Sequence, residues 1–572
     1  MSPMPSSASP DPAMIARAIP PAGSEGFDRS HDVIIVGSGG AGLAAGLVAA
    51  AAGLDVVVLE SSGFVGGTTA MSAAGTWIPA NHRARAAGIA DSPQDALAYI
   101  RASAPPGWQE VEDPLWRRFV VEAPAMLAFV EAKTPLMFEL LEEPDPYPLQ
   151  SGACRHGRML SPSPLPPAAA GGWSRRIRAP HVPHILTYGE MRRLDAWHRP
   201  LGAVLDKLPA VAARIATGSR AQGTALVRGL VGGFVRAGGR ILTDTRAVEL
   251  ITGGDRNVTG IRAERGGEAI RLQARRGVVL ACGGFERDEE RRRTHFPGPV
   301  DLIASAPSNL GDGHRMAEAV GAALARMDQA NIAPAIPARV RGLDLPLGTF
   351  YHREPSALLI DRGGRRFVNE YLFNLGEVLL QKDAATGAFA HLPAWLVADA
   401  SLLRAAPVMN HFLRADPTFM RRAGDLDELA AQIGVPGDTL KATVQRFNGF
   451  AAKGTDSEFG RHLDPLAANG LAPERLAPLR KPPFVAMPFN LTFLSTKGGP
   501  RTDSRGQVLR PDGSAIGGLY CAGVAMANPF GTRAVGQGTT IGPNMTWGWI
   551  CGRTLTGELA ETVDLEGEPA DA

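Results

Sequence analysis

An α/β fold built on a parallel sheet, its strands drawn from distant parts of the chain, is what the sequence predicts from three observations. A continuous apolar run, Val33 to Val36, leads straight into Gly37, Gly39 and Gly42 at GxGxxG spacing. A second run, "LDVVVLE", ends on Glu60, 23 residues after Gly37. Two more apolar runs that end in glycine, "RRGVVLACGGFE" and "AIGGLYCAGVAMA", return much later in the chain.

Residues 1–29 are rich in Pro and Ser, lack the apolar run of a signal peptide and read as a disordered lead-in. The segment from His31 to Ser61 then reads strand, glycine turn, helix, strand, with Gly53 stopping the helix. Gly37 permits the tight turn, and Gly39, Gly40 and Ala41 let the backbone approach a pyrophosphate at a helix N-terminus. Gly42 allows close helix–strand packing, while Glu60 is placed to accept hydrogen bonds from a ribose. Together these predict a bound dinucleotide. After Glu60 come Gly66, Gly67, Thr68, Thr69, Ser72 and Ala73, small residues able to lie along a ribityl chain and a flavin ring where bulky ones would not fit. FAD is therefore favoured over NAD.

Further along, "RILTDTRAVELITGGDRNVTGIRAE" alternates like an antiparallel meander and brings Val248 towards the cofactor. Gly283 and Gly284 close the next strand, and Asn309, Gly311 and Asp312 open a helix that Asp312 is expected to cap. Gly523 ends the last strand, and Thr540 and Ile541 enter a helix expected to begin near Thr539. The N–H groups and dipole of that helix can stabilise negative charge on a reduced flavin. The blocks follow the order of a glutathione-reductase-like FAD domain, discontinuous and interrupted by an α+β catalytic domain. Residues 30–300 form its first segment, with a helical excursion over 92–235; 301–485 form the catalytic domain, 486–560 the second segment and 561–572 a tail.

Composition bounds the partners. Lys and Arg number 59 against 57 Asp and Glu, so no global field points to nucleic acid. No transmembrane run is present, the four cysteines have no metal spacing, and the protein is expected to be cytoplasmic and free of metal.

"AAGTWIPAN", "GRRFVNE", "LPAWLVAD", "TVQRFNGFA", "STKGG" and "GQGTTIGPNMTWGW" resemble the flavoprotein superfamily of fumarate reductases and 3-ketosteroid dehydrogenases, and above all the 3-ketosteroid delta-1 dehydrogenases. The resemblance covers nearly the whole chain after residue 30. It implies noncovalent FAD, an external electron acceptor such as a quinone, and desaturation beside a ketone. In that chemistry a tyrosinate takes the α-proton, flavin N5 takes a hydride from the β-carbon, and a tyrosine and a glycine N–H hold the enolate. Gly538 matches the enolate-binding glycine and Tyr147 an active-site tyrosine. Asn374 and Ala534 stand where the family has its two other tyrosines, so the hydroxyl chemistry is expected from Tyr147, Tyr351 or Tyr371. Arg533, beside Ala534, is read either as a surface charge or as a group that polarises a ketone or clamps a carboxylate. The functional expectation is a ketone desaturase. A flavin-dependent alkene reductase and a non-catalytic flavin-binding protein are the alternatives.

Overall fold

The structure, a computed structural model, describes residues 26–340, 343–344, 346–464, 475–563 and 565. Eight strands make the principal sheet. β1 (Arg29–Val36) lies between β2 (Val56–Leu59) and β6 (Glu268–Leu280), parallel to both, and β3 (Arg240–Leu242) extends the β2 side. On the other side β8 (Ala515–Cys521) pairs parallel with β6, and β7 (Gln507–Leu509) closes that edge antiparallel to β8. β4 (Thr245–Thr252) and β5 (Val258–Arg265) form an antiparallel extension on the long β6. The meander read from the sequence is thus split: β3 joins the parallel sheet, because its apolar centre Ile241 is buried beside β2, and the rest stays antiparallel.

Val33, Ile34, Ile35 and Val36 are all buried, as a parallel strand covered on both faces requires. The first helix, Gly40–Ala51, is buried along almost its whole length, so its alanines face protein on every side. Its main partner is the C-terminal helix, Ile541–Thr556. Glycine sets their separation: a Cβ on Gly548 would stand 2.1 Å from the Ala41 carbonyl oxygen, and one on Gly552 would stand 2.8 Å from Val48 Cβ. Gly42 serves the turn in the same way, since a Cβ there would lie 2.1 Å from Gly37 O.

The excursion over 92–235 is mostly helical, with long helices at Gln109–Lys133 and Gln222–Arg236. It also contributes Phe138–Leu140 and Met159–Pro162, which pair with Thr76–Trp77 in a three-stranded sheet. Beyond residue 300 a four-stranded antiparallel sheet combines Ala357–Ile360, Trp395–Ala398, Phe484–Pro488 and Arg421–Ala423. Its core is separate from that of the principal sheet. Among the described residues no helix is long and apolar enough to cross a membrane.

Under this insert lies a charged knot. Arg366 donates to both oxygens of Glu370 at 2.6 and 2.7 Å and to Asp456 at 2.8 Å, and Arg461 reaches Glu370 at 3.1 Å. All four side chains are buried. Of the pair in "GGRRFVNE", Arg366 is therefore an interior residue.

Candidate active site

One cavity of about 950 Å³ runs from the glycine turn into the space between the FAD-type sheet and the inserted domain. Its wall at the turn contains Gly37, Gly39, Gly40, Ala41, Glu60, Gly67, Thr68, Thr69, Ser72 and Ala73. Gly283, Asn309, Asp312, Gly523, Thr540 and Ile541 also line it. Five residues expected at the cofactor are not in the wall: Gly42, Gly66, Val248, Gly284 and Gly311. Gly42 is consumed by the turn, Gly66 takes φ +101°, and Gly284 packs on Thr496, whose hydroxyl oxygen would meet an added Cβ at 2.2 Å. Gly311, in the left-handed region, is the N-cap in place of Asp312, whose carboxylate instead binds Arg246 and Arg315. Val248 is half-buried behind Ala247, which does face the cavity.

The residues present fit an FAD. Gly37 has φ +101°, and a Cβ would lie 2.5 Å from the Ala281 carbonyl, so the turn tolerates glycine alone. Gly39, by contrast, has nothing closer to its Cβ position than Thr69 Oγ1 at 3.9 Å, which leaves bare backbone for a phosphate to approach. Thr69 Oγ1 accepts from Gly40 N–H at 3.0 Å and pins the loop. The Glu60 carboxylate is oriented by Ser38 Oγ at 2.6 Å and Ser62 Oγ at 2.8 Å, with lone pairs left for a ribose. Where the C-terminal helix meets the cavity, Asn544 Oδ1 and Ser495 Oγ are buried with no hydrogen-bond partner, and both residues line the wall. A ligand with polar ring edges at the helix N-terminus would satisfy them.

Beyond the cradle the wall turns apolar, with Leu186, Met191, Trp197, Val204, Leu347 and Phe412. Of the three tyrosines expected to matter, Tyr351 alone faces this chamber, and its hydroxyl is buried with no hydrogen-bond partner. Burial pushes its pKa up, so it stays a donor. Tyr371 is held in the charged knot with the Arg461 guanidinium 4.8 Å from its ring centroid. Tyr147 stands outside the wall and accepts from Asn374 Nδ2 at 2.5 Å. Asn374 also bonds both ways with the Ala534 backbone, accepting from its N–H at 3.0 Å and donating to its carbonyl at 2.9 Å. The three positions that the family resemblance brings together thus meet here, with an asparagine bridge across them.

Gly538, in the same loop as Ala534, has φ +83° and a Cβ position 2.6 Å from Thr76 N; its carbonyl accepts from Trp77 and Gly542 N–H groups. It is not in the wall, although its neighbour Gln537 is. Arg533 does not face the cavity: its Nε lies 2.8 and 2.9 Å from the two Glu377 oxygens, so its charge is already compensated.

Sequence reasoning missed His181, Tyr188, Arg192 and Arg353, all in the wall. The first lies among the prolines of "APHVPH", and nothing in the pattern separates Arg353 from other loop arginines. Burial pulls the His181 pKa down to about 4, and its Nε2 has no partner.

His198, also in the wall, behaves oppositely. Asp195 at 2.6 Å and Glu354 at 2.7 Å raise its pKa from 6.5 to about 10. A raised folded-state pKa stabilises fully below about pH 6.5 and loses that contribution as pH climbs through 10. The thermal midpoint is therefore expected to fall between pH 7 and 10 more steeply in the native protein than in His198→Gln. Equal slopes would show that the triad carries no such linkage.

Known proteins match over the same span. A 4-oxocyclohexanecarboxylate 2-dehydrogenase of Sinomonas cyclohexanicum is 34% identical over 94% of this chain and 94% of its own length. A 3-oxosteroid 1-dehydrogenase of Mycobacterium tuberculosis is 34% identical, covering 91% of this chain and 97% of that protein. The crystal structure of a 3-ketosteroid delta1-dehydrogenase from Sterolibacterium denitrificans, bound to 1,4-androstadiene-3,17-dione, superposes with a TM-score of 0.81 at 30% identity, covering 93% of this chain and all of that one. The glycine turn, the helix N-terminus and the sheet between them are what a family model described as an FAD binding domain matches over residues 32–541, and the chain belongs to that family of flavoenzymes.

Proposed function

We propose that the protein is an FAD-dependent dehydrogenase that introduces a carbon–carbon double bond beside a ring ketone. The observation that carries this reading is the continuity of the cavity: the flavin cradle opens without a partition into an apolar chamber with Tyr351 in its wall. FAD, when bound, supplies the acceptor for the hydride that leaves the β-carbon. The chain's own residues do the rest. The apolar wall desolvates the ring. Tyr351 donates its hydroxyl hydrogen to the ketone oxygen, and this makes the α C–H acidic by stabilising the developing enolate. His181, in the wall with Nε2 unpartnered, is the group we assign as acceptor of the α-proton, against the burial that lowers its pKa to about 4. The N-terminus of Ile541–Thr556, with Thr540 and Ile541 in the wall, favours negative charge at the cofactor edge beside it. An external small-molecule oxidant or a quinone then restores the cycle.

The relatives named for ring-ketone dehydrogenation support this reading along nearly the full chain. Its test is an anaerobic titration of the FAD-loaded protein with a 3-ketosteroid and with 4-oxocyclohexanecarboxylate. Bleaching of the flavin absorbance by either is the expected result. If neither bleaches it and an enone reoxidises the dithionite-reduced protein, the enzyme runs as an alkene reductase and this reading falls.

A further inference from the structure

Two arginines of the chamber wall lack a hydrogen-bonded carboxylate among the described residues. Arg353 lies in the wall on the short turn Tyr351–Arg353, and among the described residues no hydrogen bond or ion pair reaches its guanidinium; its Nε is buried and unpartnered. The Phe350 ring lies beside it, 5.3 Å from centroid to guanidinium carbon. The neighbouring carboxylates are committed elsewhere: Glu354 binds His198 at 2.7 Å, and Asp464 accepts from Asn369 at 3.0 Å. Arg192, also in the wall, has Glu143 as its nearest carboxylate at 3.9 Å, beyond hydrogen-bond reach, and burial raises the pKa of that acid. Two guanidinium groups thus line the chamber, with Glu143 and Asp464 as their counter-charges and Tyr188 bonded to Arg192.

Half-burying a guanidinium without a hydrogen-bonded acid carries a desolvation cost that a bound anion would offset. A planar guanidinium matches a carboxylate bidentately. Arg353 stands among Asp464, Arg192, Tyr371 and Tyr188, none of which belongs to the glycine cradle around Gly37 to Ala41 that would take the cofactor phosphates. We propose that Arg353 and Arg192 form the anion-recognising end of the chamber and that the substrate is a ring ketone bearing a carboxylate. This rests on the ring-ketone dehydrogenase reading and names its substrate class. The carboxylate can come from a compact alicyclic keto acid or from a steroid ketone with an acidic side chain.

The test compares acid and methyl ester on the FAD-loaded enzyme, for 4-oxocyclohexanecarboxylate and for a 3-ketosteroid with a carboxylate-ended side chain. In the native enzyme one acid should exceed its ester in kcat/KM by about 10- to 100-fold, the worth of a hydrogen-bonded charge contact. Whichever pair shows the gap identifies the source. In Arg353→Gln the acid-to-ester ratio should collapse through KM, with partial rescue in Arg353→Lys. Equal rates for acid and ester in the native enzyme, or an unchanged ratio in Arg353→Gln, would overturn the proposal. Cyclohexanecarboxylate, which has no ketone, supplies a readout free of turnover through its perturbation of the flavin spectrum. If it binds and Arg353→Gln abolishes binding while no ketone reduces the flavin, the anion site stands and the dehydrogenase reading falls. If it leaves the native spectrum unchanged and acid and ester react alike, the anion site falls alone.

Discussion

Replacing Tyr351 with phenylalanine is expected to slow anaerobic flavin reduction by about 10²- to 10³-fold, the usual consequence of removing one preorganised donor to a developing oxyanion. The change deletes a single oxygen and leaves the ring held by its edge contact with Trp197, whose centroid is 6.5 Å away. The Met409 backbone lies beside that hydroxyl, so its loss should cost at most about 1 kcal/mol of stability. The substrate KM should change much less than kcat, since the enolate gains more from the donor than the ketone does. Tyr147→Phe is the informative companion. Its hydroxyl accepts from Asn374 outside the wall, so its removal should mainly loosen the Asn374–Ala534 bridge. A larger rate loss in Tyr147→Phe than in Tyr351→Phe would move the donor role to Tyr147 and sink the present assignment.

What could be read from the sequence was set by how local the cause is. The glycine turn and the Glu60 strand are legible because steric demands at Gly37 and Gly42 act within a few residues. The return of "RRGVVLACGGFE" and "AIGGLYCAGVAMA" to one sheet is legible because both are apolar enough to be buried on two faces. The resemblance carried further, grouping Tyr147, Asn374 and Ala534, which the fold does bring together. Pairings between distant segments left no such trace. Arg533 looked like an open question in its own loop, and the answer came from Glu377, a residue of the inserted domain 156 positions away in the chain. Tyr371 looked available until Arg461 was found over its ring. In Arg353 the reverse held: an ordinary loop arginine by pattern, it proved half-buried in the chamber wall, with no hydrogen bond or ion pair to its guanidinium among the described residues. Polar residues are distinguished by what their charge meets, and that is fixed by tertiary contacts which periodicity does not encode.

Glu370→Ala is expected to carry the largest stability cost of any single change outside the cofactor cradle. Glu370 is fully buried and serves two cations, Arg366 through two contacts and Arg461 at 3.1 Å, while also accepting the Leu359 N–H at 3.2 Å. Its removal leaves Arg366 with Asp456 and strips Arg461 of its carboxylate, so that one acid faces two buried guanidiniums. Breaking a buried pair in this way costs about 3–5 kcal/mol, since the stranded charge keeps its desolvation penalty and loses its compensation. The effect should reach the chamber as well, because Arg461 also donates to the Glu354 and Ala357 carbonyls, which bracket the turn after Tyr351 and Arg353. Thermal denaturation followed by far-UV circular dichroism should show a lowered midpoint for the insert, while flavin fluorescence at ambient temperature reports a cradle that is still occupied. Flavin loss without a change in the midpoint would contradict this partition, for it would tie Glu370 to the cofactor instead of to the knot beneath the inserted sheet.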